Sequence, residues 1–285
     1  MTRSGERRAG WLLVAPLCLL LLAVFVAPVA LMLPTSFRTY QPGLGITSGW
    51  TAHNYTQIVT DGYLLEVLGR TFVLGVSVTA ICLVLGFPLA VVLARASGAA
   101  RGILTLLVVF PLTLNVVVRS FGWISLLSNR GLINQALMAL GIVDVPLRMM
   151  FNLTGLIVGL THVLLPVMVV LLAAALRALP RDVEAAAATL GTRPWKTFFL
   201  VTLPLAAPGI FAGCVLVFVL TISALVTPRL LGGPAYKVMA TAIFDEFLSS
   251  LDWPTGAALA FALTLFALAV VALAGLLTRR WVAAR

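Results

Sequence analysis

The sequence predicts an all-α integral membrane protein. Of its 285 residues, 61% are hydrophobic and only 10% are charged, and the mean hydropathy is +1.12. Soluble domains contain roughly 45–50% apolar residues. The apolar residues are gathered in stretches of about 20, which is the length a helix needs to cross a hydrocarbon core about 30 Å thick. Transmembrane β-strands would be shorter and would alternate apolar with polar side chains, a pattern this sequence lacks.

Six stretches are long and apolar enough to be membrane spans. Because lipid offers no partner to an unpaired backbone amide, each stretch is expected to be a helix. The longest polar stretch, residues 34–70, is too short for a separate soluble domain and is predicted to be a loop with one short helix near residues 53–58. Residues 1–285 are therefore expected to form a single transmembrane domain. The predicted spans are 11–33, 71–94, 103–127, 153–176, 205–227 and 256–277.

The basic residues predict the orientation of the chain. Of the nineteen Lys and Arg residues, twelve lie in the loops on one side, six lie in those on the other side, and Arg119 lies within a span. The positive-inside rule then places both termini in the cytoplasm. The first apolar stretch exceeds the 7–15 residues of a signal peptide, so a retained helix is expected. The basic charge forms no stripe with interleaved aromatic residues, so membrane lipid and not nucleic acid is the expected partner.

The sequence contains no pattern typical of an active site. It has no zinc-protease, nucleophile-elbow or phosphate-loop motif, and its three cysteines lie inside apolar spans without a CxxC pair. No catalytic residue and no metal ligand are therefore predicted, and the protein is not expected to be an enzyme. A membrane-embedded enzyme would need convergent catalytic groups, and a self-contained secondary carrier usually has a carboxylate inside a span, which is absent here.

Four polar residues in the third and fifth predicted spans are candidates for a solute pathway. Asn115 and Arg119 are four residues apart, so they share one face of a helix. A charge within the membrane favours either a water-filled path or a side chain that extends toward the interface, and both interpretations of Arg119 stay open. Ser223 and Thr227 either line a polar path or bond to their own helix backbone.

Residues 178–204 interrupt the apolar spans and predict a docking element. Acidic Asp182 and Glu184 suit the start of a helix, and the small residues Ala185 and Ala186 allow another protein to approach closely. Gly191 is typical of a helix end, and a proline three residues later suits the start of the next helix. The pattern therefore predicts two short helices joined by a glycine turn.

This segment resembles the EAA loop of binding-protein-dependent ABC importer permeases. Gly191, Leu203 and Pro204 stand at the family's spacing, whereas Ala185 occupies the usual glutamate position and Glu184 precedes it by one residue. In the family this loop docks on a cytoplasmic ATPase and transmits its closure to the membrane helices. The resemblance implies that role for Asp182, Glu184, Ala185, Ala186, Gly191, Leu203 and Pro204, and whether Glu184 replaces the usual glutamate stays open.

Three further runs are similar to the permeases of spermidine/putrescine transporters, namely RSFGWISLLSNRGLIN at 119–134, IVDVPLRMMF at 142–151 and DWPTGAA at 252–258. The resemblance implies a type I, MetI-like permease in the bacterial inner membrane. Its partners would be a second permease subunit, identical or different, two copies of an ATP-binding cassette ATPase, and an external solute-binding protein. ATP and Mg²⁺ would bind the ATPase, and this chain would bind no cofactor.

The nature of the solute stays open between two classes. The resemblance implies a polyamine, but a cationic Arg119 beside its route would repel a polyamine unless it faced a carboxylate or tight packing. An organic anion or a metal chelate is therefore the alternative. The predicted external residues Asp245, Glu246 and Asp252 either receive a cation, contact the solute-binding protein or carry ordinary solvated loop charge.

Overall fold

The computed structural model describes residues 3–180, 182, 183, 187, 189 and 191–283. Over these residues the fold is helical apart from one small hairpin. A π-helical segment spans Phe198–Thr202 and lies between the helices Pro194–Thr197 and Leu203–Ile222. The helices are α1 Arg3–Ser36, α2 His53–Thr60, α3 Gly62–Arg95, α4 Gly98–Thr113, α5 Val116–Leu127, α6 Leu132–Ala139, α7 Leu153–Arg177, α8 Pro194–Thr197, α9 Leu203–Ile222, α10 Val226–Leu231, α11 Met239–Leu248 and α12 Trp253–Ala283.

Among the described residues, five helical stretches are long and apolar enough to cross a membrane. They correspond to the first, second, fourth, fifth and sixth predicted spans, with ends that differ by up to ten residues. The sixth candidate is a bent pair of helices. The five stretches are Val14–Ser36, Gly62–Arg95, Leu153–Arg177, Trp195–Ile222 and Trp253–Leu276.

The third predicted span, residues 103–127, is not one continuous helix. It is divided into α4 and α5, and the pair that begins with them is bent by 88°. Pro111 lies in the last turn of α4, and the Asn115 side chain caps α5 by accepting a hydrogen bond from the Val117 N–H at 2.8 Å. The stretch is apolar on both sides of the break, so hydropathy alone could not show the bend.

The fifth predicted span is displaced toward the N-terminus. The helical path begins at Pro194, passes through the π-helical segment, and ends at Ile222. The Leu203 N–H bonds to the Phe198 carbonyl five residues earlier, which keeps the path helical up to Pro204, a residue with no N–H to donate. The second predicted helix of segment 178–204 is therefore continuous with a membrane span.

A two-stranded antiparallel hairpin lies in the region predicted to be a loop, residues 34–70. Its strands are β1, Arg38–Gln41, and β2, Gly45–Trp50. Gly43 has a φ of +87° in the connection, a conformation that other residues rarely adopt. The Arg38 guanidinium lies 4.3 Å from the centre of the Trp50 ring. The helix α2 that follows confirms the short helix predicted near residues 53–58.

The chain consists of two compact units, Met1–Leu64 with Ile243–Thr264, and Leu65–Ala242 with Leu265–Arg285. In the first unit, the Tyr40 hydroxyl donates to the Ser250 carbonyl at 3.0 Å. In the second unit, α7 lies at the centre of the hydrophobic core and packs against α4, α9 and α10. Close helix packing is possible where glycine replaces a side chain, as at Gly209, where an added Cβ would clash with the Ala175 Cβ.

The first turns of α3 in the second unit are held by polar contacts. Arg70 forms an ion pair with Glu66 at 2.5 Å and lies 4.7 Å from the centre of the Tyr236 ring. Burial raises the pKa of the Tyr236 hydroxyl above its usual value, and the Arg70 charge partly offsets this effect. The Thr71 hydroxyl accepts a hydrogen bond from the Met239 N–H at 2.9 Å, which ties α3 to the start of α11.

Candidate functional site

Gly191 forms the predicted turn within segment 178–204. Its φ is +73°, and the N–H of the next residue, Thr192, donates to the Ala187 carbonyl at 3.3 Å. A left-handed residue followed by a bond that spans six residues is the pattern of a Schellman helix end. Of the other residues predicted to dock a partner, Asp182 is helical and exposed. Glu184, Ala185 and Ala186 lie outside the described residues.

Two threonines that no sequence motif pointed to hold this turn in place. The Thr192 hydroxyl donates to the Ala187 carbonyl at 2.6 Å and lies 2.7 Å from the Thr197 hydroxyl. Either hydroxyl of this pair can be the donor, and the Thr197 hydroxyl also lies 3.4 Å from the Arg193 carbonyl. Thr197 is buried and belongs to α8, so Thr192 connects the end of the first helix to the second. Two threonines on either side of a helix-starting proline are the only trace of this link in the sequence.

The helical path after the turn presents aromatic side chains in two directions. Trp195 and Phe199 are each 57% exposed, whereas Phe198 is half-buried and packs edge-on against Phe87 of α3, with ring centres 5.6 Å apart. In a regular α-helix the spacing of Trp195, Phe198 and Phe199 would place all three on one face. In the structure Phe198 packs into the protein while Trp195 and Phe199 stay accessible, and the π-helical segment begins at Phe198.

A cavity of about 460 Å³ lies beside Phe198 at the ends of α3 and α7. Its wall is mostly apolar, with one arginine. The cavity is lined both by the segment that follows the Gly191 turn and by the ends of two membrane spans. A displacement of this segment would therefore change its contacts with both spans. The lining residues are Val91, Ala94, Arg95, Leu176, Leu179, Pro180, Phe198 and Thr202.

Leu203 and Pro204 lie in the first turn of α9, where both are half-buried. They do not lie in a loop, because the helical path continues from α8 through the π-helical segment. Together with the glycine turn, they therefore mark the two ends of the helical stretch that leads from the turn into the span.

Asn115 and Arg119 lie just after the bend between α4 and α5. The Asn115 Oδ1 caps α5, and the Arg119 N–H donates to the Asn115 carbonyl at 3.1 Å, so the two residues are one helical turn apart. Arg119 lies one turn farther along α5, which packs against α7. Its Nε and Nη1 atoms are buried and have no hydrogen-bond partner.

Ser223 and Thr227 lie in different elements of the structure. Ser223 follows the last residue of α9, is exposed, and donates its hydroxyl proton to the Val219 carbonyl at 2.5 Å. Thr227 is buried in α10, with its hydroxyl 3.4 Å from that of Ser120 on α5. Thr227 therefore lies near the element that carries Arg119, whereas Ser223 bonds to its own helix.

The three acidic candidates near the C-terminal span also differ in environment. Asp252 caps α12, because its two carboxylate oxygens accept from the Thr255 N–H at 3.0 Å and the Thr255 hydroxyl at 2.9 Å. This is the local N-cap arrangement in which an acidic side chain satisfies a free N–H of the first turn. Asp245 and Glu246 lie on α11 and are half-buried.

Long apolar helices, a sharply bent apolar pair and a helical path from a braced turn into a span define the class of this protein. It is a multi-span helical membrane protein in which one span is preceded by a glycine turn and a continuous helical path. Nothing in its described part groups three or more His, Cys, Asp or Glu side chains as a metal site would.

Comparisons with known proteins identify the family. Residues 86–283 match the family described as "Binding-protein-dependent transport system inner membrane component". The chain is 35% identical over 246 residues to the spermidine/putrescine transport system permease protein PotB of Escherichia coli (strain K12), a match that covers 86% of this chain and 89% of PotB. It is 34% identical over 197 residues to the molybdenum transport system permease protein ModB of Mycobacterium bovis, covering 69% and 72% of the two chains.

The fold is also found among solved structures. A chain in the crystal structure of a bacterial alginate ABC transporter, in complex with an alginate-bound periplasmic protein, superposes with a TM-score of 0.75. The match covers 97% of this chain and 96% of that one at 18% sequence identity, so it shows the shared fold. The chain belongs to the family of inner-membrane components of binding-protein-dependent transport systems. It is a multi-pass inner-membrane permease subunit, as the sequence predicted.

Proposed function

We propose that this chain is the permease subunit of an ATP-driven importer and that it carries a polyamine of the spermidine/putrescine class. The identity to PotB over most of both chains supports the polyamine. Family membership supports dependence on a solute-binding protein. A partner ATPase supplies the energy, so ATP and Mg²⁺ bind that partner and this chain binds no cofactor.

The observation that carries the coupling mechanism is the helical path from Pro194 to Ile222. The ATPase docks on the element around Asp182 and Gly191, which also includes residues 184–186 outside the described part of the chain. Thr192 ties the turn to α8 by hydrogen bonds on both sides, so a push on the turn moves the helix as a unit. The movement then passes along the span to the polar residues at its other end.

The assembly has four kinds of subunit. This chain pairs with a second permease of similar fold, one of two ATPase copies binds at the Gly191 turn, and a solute-binding protein docks on the opposite side. Both termini and the Gly191 turn lie on the cytoplasmic side, in agreement with the excess of basic residues in those loops. Asp245 and Glu246 then lie on the external side, where a cationic solute or the solute-binding protein arrives.

Uptake into proteoliposomes tests the proposed function. Vesicles contain the permease pair and the ATPase with enclosed ATP, and labelled spermidine is added outside with its binding protein. We expect spermidine uptake that stops when ATP is omitted and an imposed proton gradient is kept. Uptake driven by the proton gradient alone would instead establish a self-contained carrier.

An anionic solute, such as an organic anion or a metal chelate, is the second candidate. The Nε and Nη1 atoms of Arg119, which are buried and have no hydrogen-bond partner among the described residues, favour it, since a cation beside the route attracts an anion. The permease ModB of a molybdenum transport system is also similar over two thirds of the chain. In the same vesicles, labelled molybdate and citrate with their own binding proteins would replace spermidine, and ATP-dependent uptake of either would select this candidate.

A further inference from the structure

We propose that Arg119 and His162 form a binding site for a carboxylate that the described part of this chain does not supply. The Nε and Nη1 atoms of Arg119 are both buried and have no hydrogen-bond partner. A guanidinium carries five N–H donors and is permanently charged, so it cannot escape the cost of burial by losing a proton. Buried charges in proteins are paired, and an unpaired one in a membrane protein marks a partner that is missing.

His162 on α7 provides the second half of the site. Its Nδ1 atom is also buried without a hydrogen-bond partner. The ring is held edge-on by Trp123, with ring centres 5.6 Å apart, and Trp123 lies one turn beyond Arg119 on α5. An imidazole with its proton on Nδ1 is a hydrogen-bond donor, so it adds to the donors of the guanidinium. Both groups are then satisfied by a single acceptor that carries negative charge.

The described residues around Arg119 do not provide this acceptor. The neighbouring Ser120 hydroxyl donates to the Val116 carbonyl at 2.8 Å and faces Thr227, so it is already engaged. None of the carboxylates in the ranges that the structure describes forms an ion pair with Arg119. We place this acceptor, which the described residues do not supply, on another molecule.

A carboxylate fits this site by geometry as well as by charge. Its two oxygens lie in one plane and accept parallel hydrogen bonds from the fork of a guanidinium. A carboxylate could come from a side chain of the second permease subunit or from a free organic anion in the solute route. The site rests on membership of the permease family and not on the polyamine. If a polyamine is the solute, a carboxylate bound here removes the charge that would repel it.

Three variants of Arg119 and one control allow a test on the complete transporter in nanodiscs. Arg119→Gln removes the charge, and Arg119→Lys keeps the charge but loses the fork. Arg130→Gln removes an exposed arginine shortly after the same helix and serves as the matched control. None of the measurements uses spermidine uptake, so failure of the polyamine proposal would leave this test intact.

The first measurement detects a free anion, and the probe is ¹³C-labelled formate followed by saturation-transfer NMR. If the site is open to solutes, we expect the wild type and Arg130→Gln to bind formate. Arg119→Gln should weaken this binding at least tenfold, and Arg119→Lys should weaken it less. This result supports the site and assigns the carboxylate to a solute.

The second measurement detects a carboxylate of the second permease. Arg119→Glu should lower the temperature at which the two permeases dissociate, and one carboxylate-to-lysine change in the membrane spans of the partner should restore it. This result supports the site and assigns the carboxylate to the partner. If formate does not bind in an Arg119-dependent way and no single exchange restores the dissociation temperature, the proposal is overturned.

Discussion

The turn at Gly191 depends on a backbone conformation and not on the space available for a side chain. Its φ is +73°, yet a Cβ atom added there would meet no described heavy atom within 4 Å. A substitution is therefore penalised by the left-handed conformation alone, which costs most L-residues roughly 1–2 kcal/mol and asparagine less. A penalty of this size lowers the population of the turn by a factor of about 5–30. Gly191→Val and Gly191→Asn both add a side chain but differ in this conformational penalty. A comparison of the two variants therefore isolates the effect of the backbone conformation.

The assay measures spermidine uptake and ATP hydrolysis on the same proteoliposomes. We expect Gly191→Val to lower the amount of solute imported per ATP hydrolysed several-fold, because the ATPase then closes against an element that no longer holds its shape. Gly191→Asn should stay close to the wild type. Equal losses in both variants would show that any side chain is harmful and that φ is not the reason. Normal uptake in both would refute a role of this turn in coupling.

Three further substitutions test the packing, capping and electrostatics of the fold by thermal unfolding of the purified protein in detergent. Gly159→Ala should destabilise the protein by about 1–3 kcal/mol, because the added Cβ would clash with Cδ1 of the buried Leu231. Gly122→Ala, where a Cβ meets nothing within 4 Å, should have no such effect. Asp252→Ala should cost about 1 kcal/mol through the lost N-cap, and Asp252→Ser should retain most of this stability. Glu66→Gln should change stability by less than about 1 kcal/mol, since its ion pair is exposed to solvent, and a larger loss would show that the pair is not screened by solvent.

The membrane spans were predictable because lipid permits few backbone structures. A chain in a hydrocarbon core must satisfy its amides internally, so a long apolar stretch becomes a helix whatever its neighbours are. The fourth predicted span, residues 153–176, agrees with Leu153–Arg177 to within one residue. The helix near residues 53–58 was also predicted, since it lies between turn-forming residues in a polar loop.

Features that depend on direction or pairing could not be predicted in the same way. The stretch of residues 103–127 is apolar on both sides of the bend at Asn115, and hydropathy does not report where a helix changes direction. The hairpin depends on the pairing of β1 with β2, and the register of this pairing is irregular between Arg38 and Tyr40. Each strand is too short for its pattern of polar and apolar residues to specify that pairing.

The candidate coupling site was predicted in part. Gly191 was identified because a left-handed helix end strongly favours glycine, and its spacing to Leu203 and Pro204 matched a known loop. Thr192 and Thr197 were not identified, because a hydroxyl in a loop is common and its bonds depend on how the turn closes. The inward direction of Phe198 was not predicted either, because it depends on packing against Phe87 of α3, a residue distant in sequence.

By itself, the sequence determined the fold class, most of the spans, the glycine turn and the family. These follow from local properties, since the length of an apolar stretch, the residues at a helix end and the spacing of a motif can all be read from neighbouring residues in the sequence. Only the tertiary structure decided that the turn leads through a helical path into a span and that Asn115 caps a bend. It also decided that Arg119 on α5 and His162 on α7 each have buried side-chain nitrogens without a hydrogen-bond partner among the described residues. Those features depend on which helices pack together, because the environment of a buried charge is set by residues distant in sequence.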